Sequence, residues 1–390
     1  MSTEELVASY YNRLYTSKEI CGFLLCVHNI VLSLRQLKRI KRRLGLRRRK
    51  QRSPLRDVIE RIARLHDIGY AGYGYKLLWR VLNTVCGLSV SQETVRLALR
   101  MVDPEGCHLR CRRRLKRRVY YNRGPNFLLH MDGYDKLKPY GIAIHGCIDG
   151  FSRKLLWLKA GHSNNNPKLI ASNYLEYVKM LQKVPRCIRS DCGTENVIAK
   201  DIQIALRSFH GDCMSGIKSF LMGKSPSNQR IERFWSSLNS SFTRFWKGFF
   251  EDMVDSGVLN LSDPIHIEAL RFCFLPLIIL QLDVYMEVWN SHRIRKQINV
   301  LSDIPNVMYH QPEVFNGTDC AFRLPCSSET LDNIAEHYSE PYRKFGCTEQ
   351  FLDLVELITP FRRTDFELER SPEEAYLMFV SIVDKVDEYN

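Results

Sequence analysis

The sequence lacks several features that would settle its class quickly. Thirteen cysteines are scattered along it without a single CxxC pair, and no second Cys/His pair at finger spacing accompanies Cys107, His108 and Cys111. A structural zinc site is therefore not expected, and the cysteines read as ordinary thiols. The opening MSTEELVASYYNRLY has neither the basic start nor the apolar stretch of a signal peptide, so the thiols are expected reduced, in cytosol or nucleus. Long apolar runs are missing too. The most apolar stretch, FCFLPLIILQL at 272–282, is bounded by Arg271 and Asp283; it is too short to span a bilayer and reads as a buried helix, with no membrane partner. Gly223-Lys224-Ser225 ends like a phosphate-binding loop, but Lys218 stands where that loop requires its first glycine, so no nucleotide cofactor is expected. Finally, acids are absent from LRCRRRLKRRVYYNR at 109–123, eight of whose residues are basic.

What is present points to a polyanion. The 390 residues suffice for a substantial core and two or three domains. A formal charge of +14 favours DNA, RNA or an anionic surface without choosing among them.

Residues 1–52 read as a basic helical unit ending in SLRQLKRIKRRLGLRRRKQR. Leu34, Leu37, Ile40 and Leu44 make an apolar stripe, and Arg35, Lys38, Arg39, Arg42 and Arg43 cover the rest. Residues 53–108 read as a second unit: a helix around 55–66, then GYAGYGYKLLWRVLN, a break at Gly87, and SVSQETVRLALR with Ser91 as N-cap. Both fit helix-turn-helix readers of DNA, and the competing reading is of helical bundles with solvated charge. Residues 109–125 form a basic linker suited to a DNA backbone, with Arg112, Arg113, Lys116 and Arg117 as phosphate contacts. The same run is compatible with nuclear localisation.

From 126 the pattern changes. Strands are expected at 126–133, 141–149 and 154–160, with a tight turn at Asp149-Gly150-Phe151-Ser152, then a helix at 166–183, a fourth strand at 187–190, a helix at 195–209 and a fifth strand at 217–222. Three strands in a meander followed by alternating helix and strand predict a mixed sheet with helices packed on it. Asp132 and Asp191 fall at strand ends. Ser225 suits an N-cap and Pro226 a first helical position, which puts Asn228, Glu232, Trp235 and Asn239 on one helix face. Carboxylates that converge repel by about 4 kcal/mol per pair at ~4 Å and an effective dielectric near 20, so this cluster calls for hard divalent cations, Mg²⁺ or Mn²⁺. Residues 251–390 are expected to be mostly helical, loop-rich after Pro312, with an acidic end: ten acids against four bases over 351–390.

The stretches HMDGYDKLKPYGIAIHGCIDGFSRKLLWL, RSDCGTEN, SNQRIERFW and VWNSHRIRK resemble the DDE integrase and transposase superfamily, and most of all the integrase core domain proteins of eukaryotic mobile elements. The resemblance implies an α/β, ribonuclease H-like mixed five-stranded sheet flanked by helices over 126–250, with the helix-turn-helix units before it. It also implies that Asp132, Asp191 and Glu232 are catalytic and hold two divalent metals, about 3.5–4 Å apart in such centres. It places Asp149 at a further recurring position, structural or just behind the metal-holding residues. Asn196 and Asn228 are candidates to hydrogen-bond around the site, and Arg230 and Arg233 to hold phosphate. The implied activity is phosphodiester cleavage and strand transfer on mobile-element ends and target DNA, by a nuclear homo-oligomer. The sequence departs from retroviral integrases in lacking their zinc-binding HHCC module. Its 41-position separation of Asp191 and Glu232 is also longer, which requires an insertion around HGDCMSG at 210–216. Two rivals remain: a domesticated protein that binds DNA without catalysis, and a nuclease that cuts without joining.

Overall fold

The computed structural model describes residues 1–47, 52–110, 121–223, 227–295, 301–361 and 370–389. The chain divides into two compact units. One comprises Met1–Pro125, Phe151–Lys154 and Glu287–Cys320, and the other Asn126–Gly150, Leu155–Met286 and Ala321–Asn390.

The first unit begins with α1 (Thr3–Asn12), α2 (Ser17–His28) and α3 (Leu34–Arg43), each opened by a reciprocal capping box on Ser2, Thr16 or Ser33. Such boxes satisfy backbone N–H groups that short helices otherwise leave to water. Leu6, Val7, Tyr11, Tyr15, Ile20, Phe23, Leu24 and Leu37 bury together with Ile304 and Val307. The apolar stripe on α3 is narrower than its sequence suggests. Leu37 is fully buried, Leu34 is exposed and Ile40 and Leu44 are half-buried, because one buried position per short helix is enough to dock it here. Arg35, Lys38, Arg39, Arg42 and Arg43 are exposed. Next come α4 (Leu55–Leu65), α5 (Tyr75–Thr84), α6 (Gln92–Val102) and α7 (Pro104–Arg110). α4 and α5 both pack on α6, through Val58, Ile62 and Leu65, Leu78, Val81 and Leu82, and Val95, Ala98 and Leu99. Between α5 and α6 the chain turns at Gly87, whose φ of 67° favours glycine, and Ser91 caps α6 by accepting the Thr94 N–H.

The second unit holds the sheet. β1 (Leu129–Tyr134), β2 (Ala143–Asp149) and β3 (Leu155–Gly161) form an antiparallel meander, and β5 (Ile188–Ser190) and β6 (Phe220–Met222) add parallel to β1, giving the order β3-β2-β1-β5-β6. A short β4 (Lys183–Val184) pairs with β7 (Phe322–Arg323). Helices α8 (Pro167–Leu181), α9 (Val197–Arg207), α10 (Gln229–Leu238) and α11 (Arg244–Asp255) flank the sheet region in sequence. α8 starts where Asn166 caps it and Pro167 opens its first turn. Ile170, Tyr174, Leu175 and Val178 from α8, Ala199 and Leu206 from α9 and Leu129, Met131, Cys147, Trp157 and Ile188 from the strands share one core, each large side chain contributing about 1.5–3 kcal/mol by leaving water. A mixed five-stranded sheet flanked by helices is thus the architecture, as the strand pattern predicts. Several boundaries differ. The first strand, expected over 126–133, is Leu129–Tyr134, which puts Asp132 in its middle and not at its end. The fifth strand is three residues long, because 216–219 form a 3-10 turn. The helix expected from 195 starts at Val197, leaving Thr194–Asn196 as a separate turn. The helix expected to begin at Pro226 begins at Gln229, and Ser225 and Pro226 lie outside the described residues.

C-terminal to the sheet, the apolar run at 272–282 is part of a far longer helix, α12 (Pro264–Ser291), 28 residues with Pro276 inside it. By length and composition it could cross a membrane. Its apolar side chains are nevertheless matched within the protein: Phe274 meets Trp246, Phe249, Phe250 and Phe379 edge-on or tilted, an arrangement that stabilises aromatic cores beyond their area. α13 (Pro305–His310) follows. The stretch after Pro312 is less loop-rich than its composition suggests, since α14 (Ser328–Tyr338), α15 (Glu349–Ile358) and α16 (Pro372–Tyr389) all form there. Each buries an apolar stripe and exposes its acids, so their charge conceals the helical pattern.

The predicted insertion at 210–216 carries a structural task. Arg207 at the end of α9 is wholly buried, stacked 3.8 Å from the Phe322 ring centroid, and its guanidinium is bonded to Asp212 and to the Arg186 carbonyl. Burial pushes the Asp212 carboxyl up, and Arg207 and Arg186 more than reverse this, holding it below the usual range. Asp212→Ala strands a buried guanidinium and is expected to lower stability by about 3 kcal/mol. The loss measured by denaturant unfolding should shrink as pH falls and the Asp212 of the parent protonates.

Candidate active site

The site is built where β1 runs beneath α10. Alternate residues of a strand share a face, and on β1 these are His130, Asp132 and Tyr134. On α10 the face with spacing 4, 3, 4 is Asn228, Glu232, Trp235 and Asn239. The two sets meet rung by rung. His130 Nδ1 and Asn228 Oδ1 are 2.7 Å apart, Trp235 Nε1 donates to Asp132 Oδ2 at 2.9 Å, and the Tyr134 hydroxyl donates to Asn239 Oδ1 at 3.2 Å. Asn228 also donates to the Met131 carbonyl at 2.9 Å. These bonds explain why Asn228, at the helix start, makes no side-chain cap. Burial holds His130 neutral, its pKa lowered to about 3, so its Nδ1 is the donor to the Asn228 oxygen. Gly146 on β2 lies opposite Asp132, and a Cβ there would come 2.8 Å from the Trp235 ring. The indole therefore reaches Asp132 only because β2 has no side chain at that point.

Asp132, Asp191 and Glu232 are each half-buried, on the middle of β1, directly after β5 and on α10. They are electrostatically one group. Burial raises the Asp132 pKa to about 7; the Trp235 hydrogen bond opposes this, and the charges of Asp191 and Glu232 add to it. Among the described residues, no three His, Cys, Asp or Glu side chains approach closely enough to hold a metal ion. The donor set nonetheless fits a hard divalent cation in kind and charge: three carboxylates, one of which, Asp132, is raised toward neutrality first by burial and then by the charges of the other two. A buried acceptor, Asn196 Oδ1, also lacks a partner beside Asp191.

The turn Thr194–Asn196 adds a residue that sequence reasoning missed. Asn196 Nδ2 lies 2.6 Å from Glu195 Oε1 and 3.4 Å from Asp191 Oδ1. Burial raises the pKa of Glu195, with Asp191 and Asp135 adding to it and the Asn196 bond opposing it. Read as part of a helix, Glu195 would have pointed elsewhere; the turn brings it back to Asp191. Trp235 was visible as a helix-face neighbour of Glu232, but its bond to Asp132 was not.

The other candidates differ in their surroundings. Asp149 is fully buried and accepts the Asn126 N–H at 2.9 Å, tying the residues before β1 to the end of β2. Arg230 Nε donates to the Gly150 carbonyl at 3.0 Å, and Arg233 is half-buried on α10. Arg35, Lys38, Arg39 and Arg42 lie on α3, in the other unit. Arg112, Arg113, Lys116 and Arg117 lie outside the described residues.

A mixed sheet in this order, flanked by helices and carrying acids on its first strand, after its β5 and on a following helix, defines the ribonuclease H-like integrase core class. The chain belongs to the integrase core domain family, whose family model matches residues 119–315. That membership implies interaction with DNA in general terms. No curated protein matches the chain.

The raised pKa of Asp132 has a definite sign. Below its unfolded value of 3.8 the group is neutral in both states. Between there and about 7 the folded state binds more protons, so its stability falls as pH rises. Metal-free Asp132→Asn should therefore melt above the parent at pH 8, with the gap closing as pH is lowered toward 4 in thermal unfolding scans.

Proposed function

We propose that the chain is a DDE-type, metal-dependent polynucleotidyl transferase that cleaves DNA phosphodiesters and joins the ends to target DNA. The observation that carries this reading is the electrostatic coupling of Asp132 to both Asp191 and Glu232 on a sheet of integrase core order. These three residues would hold two Mg²⁺ or Mn²⁺ ions. Such ions would supply Lewis-acid activation of a water or a DNA 3′-hydroxyl and charge stabilisation for the leaving oxygen.

The chain's own groups prepare that site. Trp235 fixes Asp132 Oδ2, and with the Gly133 backbone N–H it favours the charged form of the carboxylate that would hold a cation. Because Asp132 is half-protonated near pH 7, loading the site displaces a proton, and metal affinity rises between pH 6 and 8. Asn228 and His130 hold the start of α10 against β1, which keeps Glu232 on the same side as Asp132. Direct in-line attack at phosphorus, without a covalent protein intermediate, is the reaction proposed.

DNA binding is assigned to the N-terminal segments. Residues 1–52 and 53–108 act as helix-turn-helix readers of mobile-element ends, 109–125 as a basic linker along the backbone, 126–250 as the catalytic core and 251–390 as the helical C-terminal region. The exposed Arg35, Lys38, Arg39 and Arg42 on α3 are suited to phosphates. We place the protein in the nucleus, working as a homo-oligomer that holds two DNA ends.

Incubating the protein and Mg²⁺ with a DNA end and a target duplex tests the chemistry. Joined products are expected, with Asp191→Asn reducing them more than about 100-fold, since removing a presumptive ligand should exceed the 10–100-fold typical of the groups behind ligands. Cleavage without joining indicates a nuclease, and binding alone a domesticated DNA-binding protein. The partner assignment has a separate readout: Lys38→Ala, Arg39→Ala and Arg42→Ala combined should lower the slope of log affinity against log salt by about 2–3.

A further inference from the structure

Between Asp191 and α9 the chain makes a seat for a carboxylate that the triad does not include. Gly193 has φ −75° and ψ 150°, a conformation open to any residue. Its lack of a side chain has another consequence: a Cβ there would fall 2.1 Å from the Glu195 carboxylate oxygens. Glu195 folds back into that space, and Asn196, 1 % exposed, binds it there. The two distances from Asn196 Nδ2 are unequal. At 2.6 Å the bond to Glu195 is short and charge-assisted, whereas 3.4 Å to Asp191 lies near the limit of a hydrogen bond. Glu195 thus holds the amide closely, at the far limit of its contact with Asp191.

We propose that Glu195 is a positioning residue for Asp191: by drawing the Asn196 amide to itself, it keeps that amide's contact with Asp191 Oδ1 long and weak, so the Asp191 carboxylate keeps its charge for a divalent cation. This rests on the reading of Asp191 as a metal-holding residue. The physical content is a competition. A carboxylate that accepts a firm hydrogen bond from a buried amide presents less charge and one fewer free oxygen to a cation. The amide has two N–H groups and touches both carboxylates, so the competition is over its position: with an acceptor at 195 it is held back from Asp191, and without one it closes on Asp191. The role requires an acceptor at 195 and does not require a negative charge there.

Mn²⁺ binding to the full chain, read by electron paramagnetic resonance together with the thermal midpoint, tests this. Glu195→Ala is expected to weaken Mn²⁺ about tenfold, the lower end of what groups behind metal ligands contribute. Glu195→Gln, which keeps an acceptor, should stay within about threefold of the parent. Glu195→Ala combined with Asn196→Ala should recover most of the loss, because the competing amide is gone. The proposal is overturned if Glu195→Ala binds like the parent, if Glu195→Gln is as weak as Glu195→Ala, or if the double variant shows no recovery. A parent that binds no Mn²⁺, or binds it equally with Asp191→Asn, overturns the underlying assignment of the triad instead.

Discussion

The site depends on a seam of polar contacts between one strand and one helix. β1 offers a polar group every second residue and α10 one every three or four, and the two periods coincide over three rungs: His130 with Asn228, Asp132 with Trp235, Tyr134 with Asn239. Each bond is worth only about 1 kcal/mol net, but a buried polar group left without its partner costs more than that. The seam thus has little freedom to slip. A shift of β1 by one residue would turn His130, Asp132 and Tyr134 to the other face of the sheet. The position of Asp132 relative to Glu232 is therefore set by its neighbours along the seam as much as by either acid.

Within that frame, burial and charge act in opposite directions on Asp132. Withdrawal from water and the presence of two further acids favour its neutral form, and the Trp235 N–H favours the charged one. Repulsion of this kind is unfavourable in a metal-free protein, and it makes the site receptive to cations. Glu195 extends the same logic one residue outward. It draws the Asn196 amide beside Asp191 toward itself, in a space that exists because Gly193 has no side chain.

Much of the scaffold was legible from the letters. Alternating apolar runs marked the meander β1 to β3, and the amphipathic pattern of 166–183 marked α8, since both signals act within a few residues. The ends of the sheet were less legible. The apolar content of 217–222 looks like a strand throughout, but only Phe220–Met222 have a partner strand, β5. Charge misled in the C-terminal region, where exposed acids masked the helical period of α14 to α16. The long helix over this region was legible as well: α12 runs beyond its most apolar stretch because a helix continues while its backbone bonds and its packing do, even through Pro276.

The sequence by itself determined which residues were candidates: Asp132, Asp191 and Glu232, their elements, and the helix face that Glu232 shares with Asn228, Trp235 and Asn239. Those properties follow from local periodicity and short-range chemistry. Only the tertiary structure decided their partners. Trp235 reaching Asp132 across 103 positions, Gly146 clearing the way for it, and Glu195 turning back to Asp191 all depend on distances between segments that no local pattern encodes. The same holds for Arg207 and Asp212: their letters show two opposite charges five positions apart, and burial of the guanidinium against Phe322 makes that pair structural.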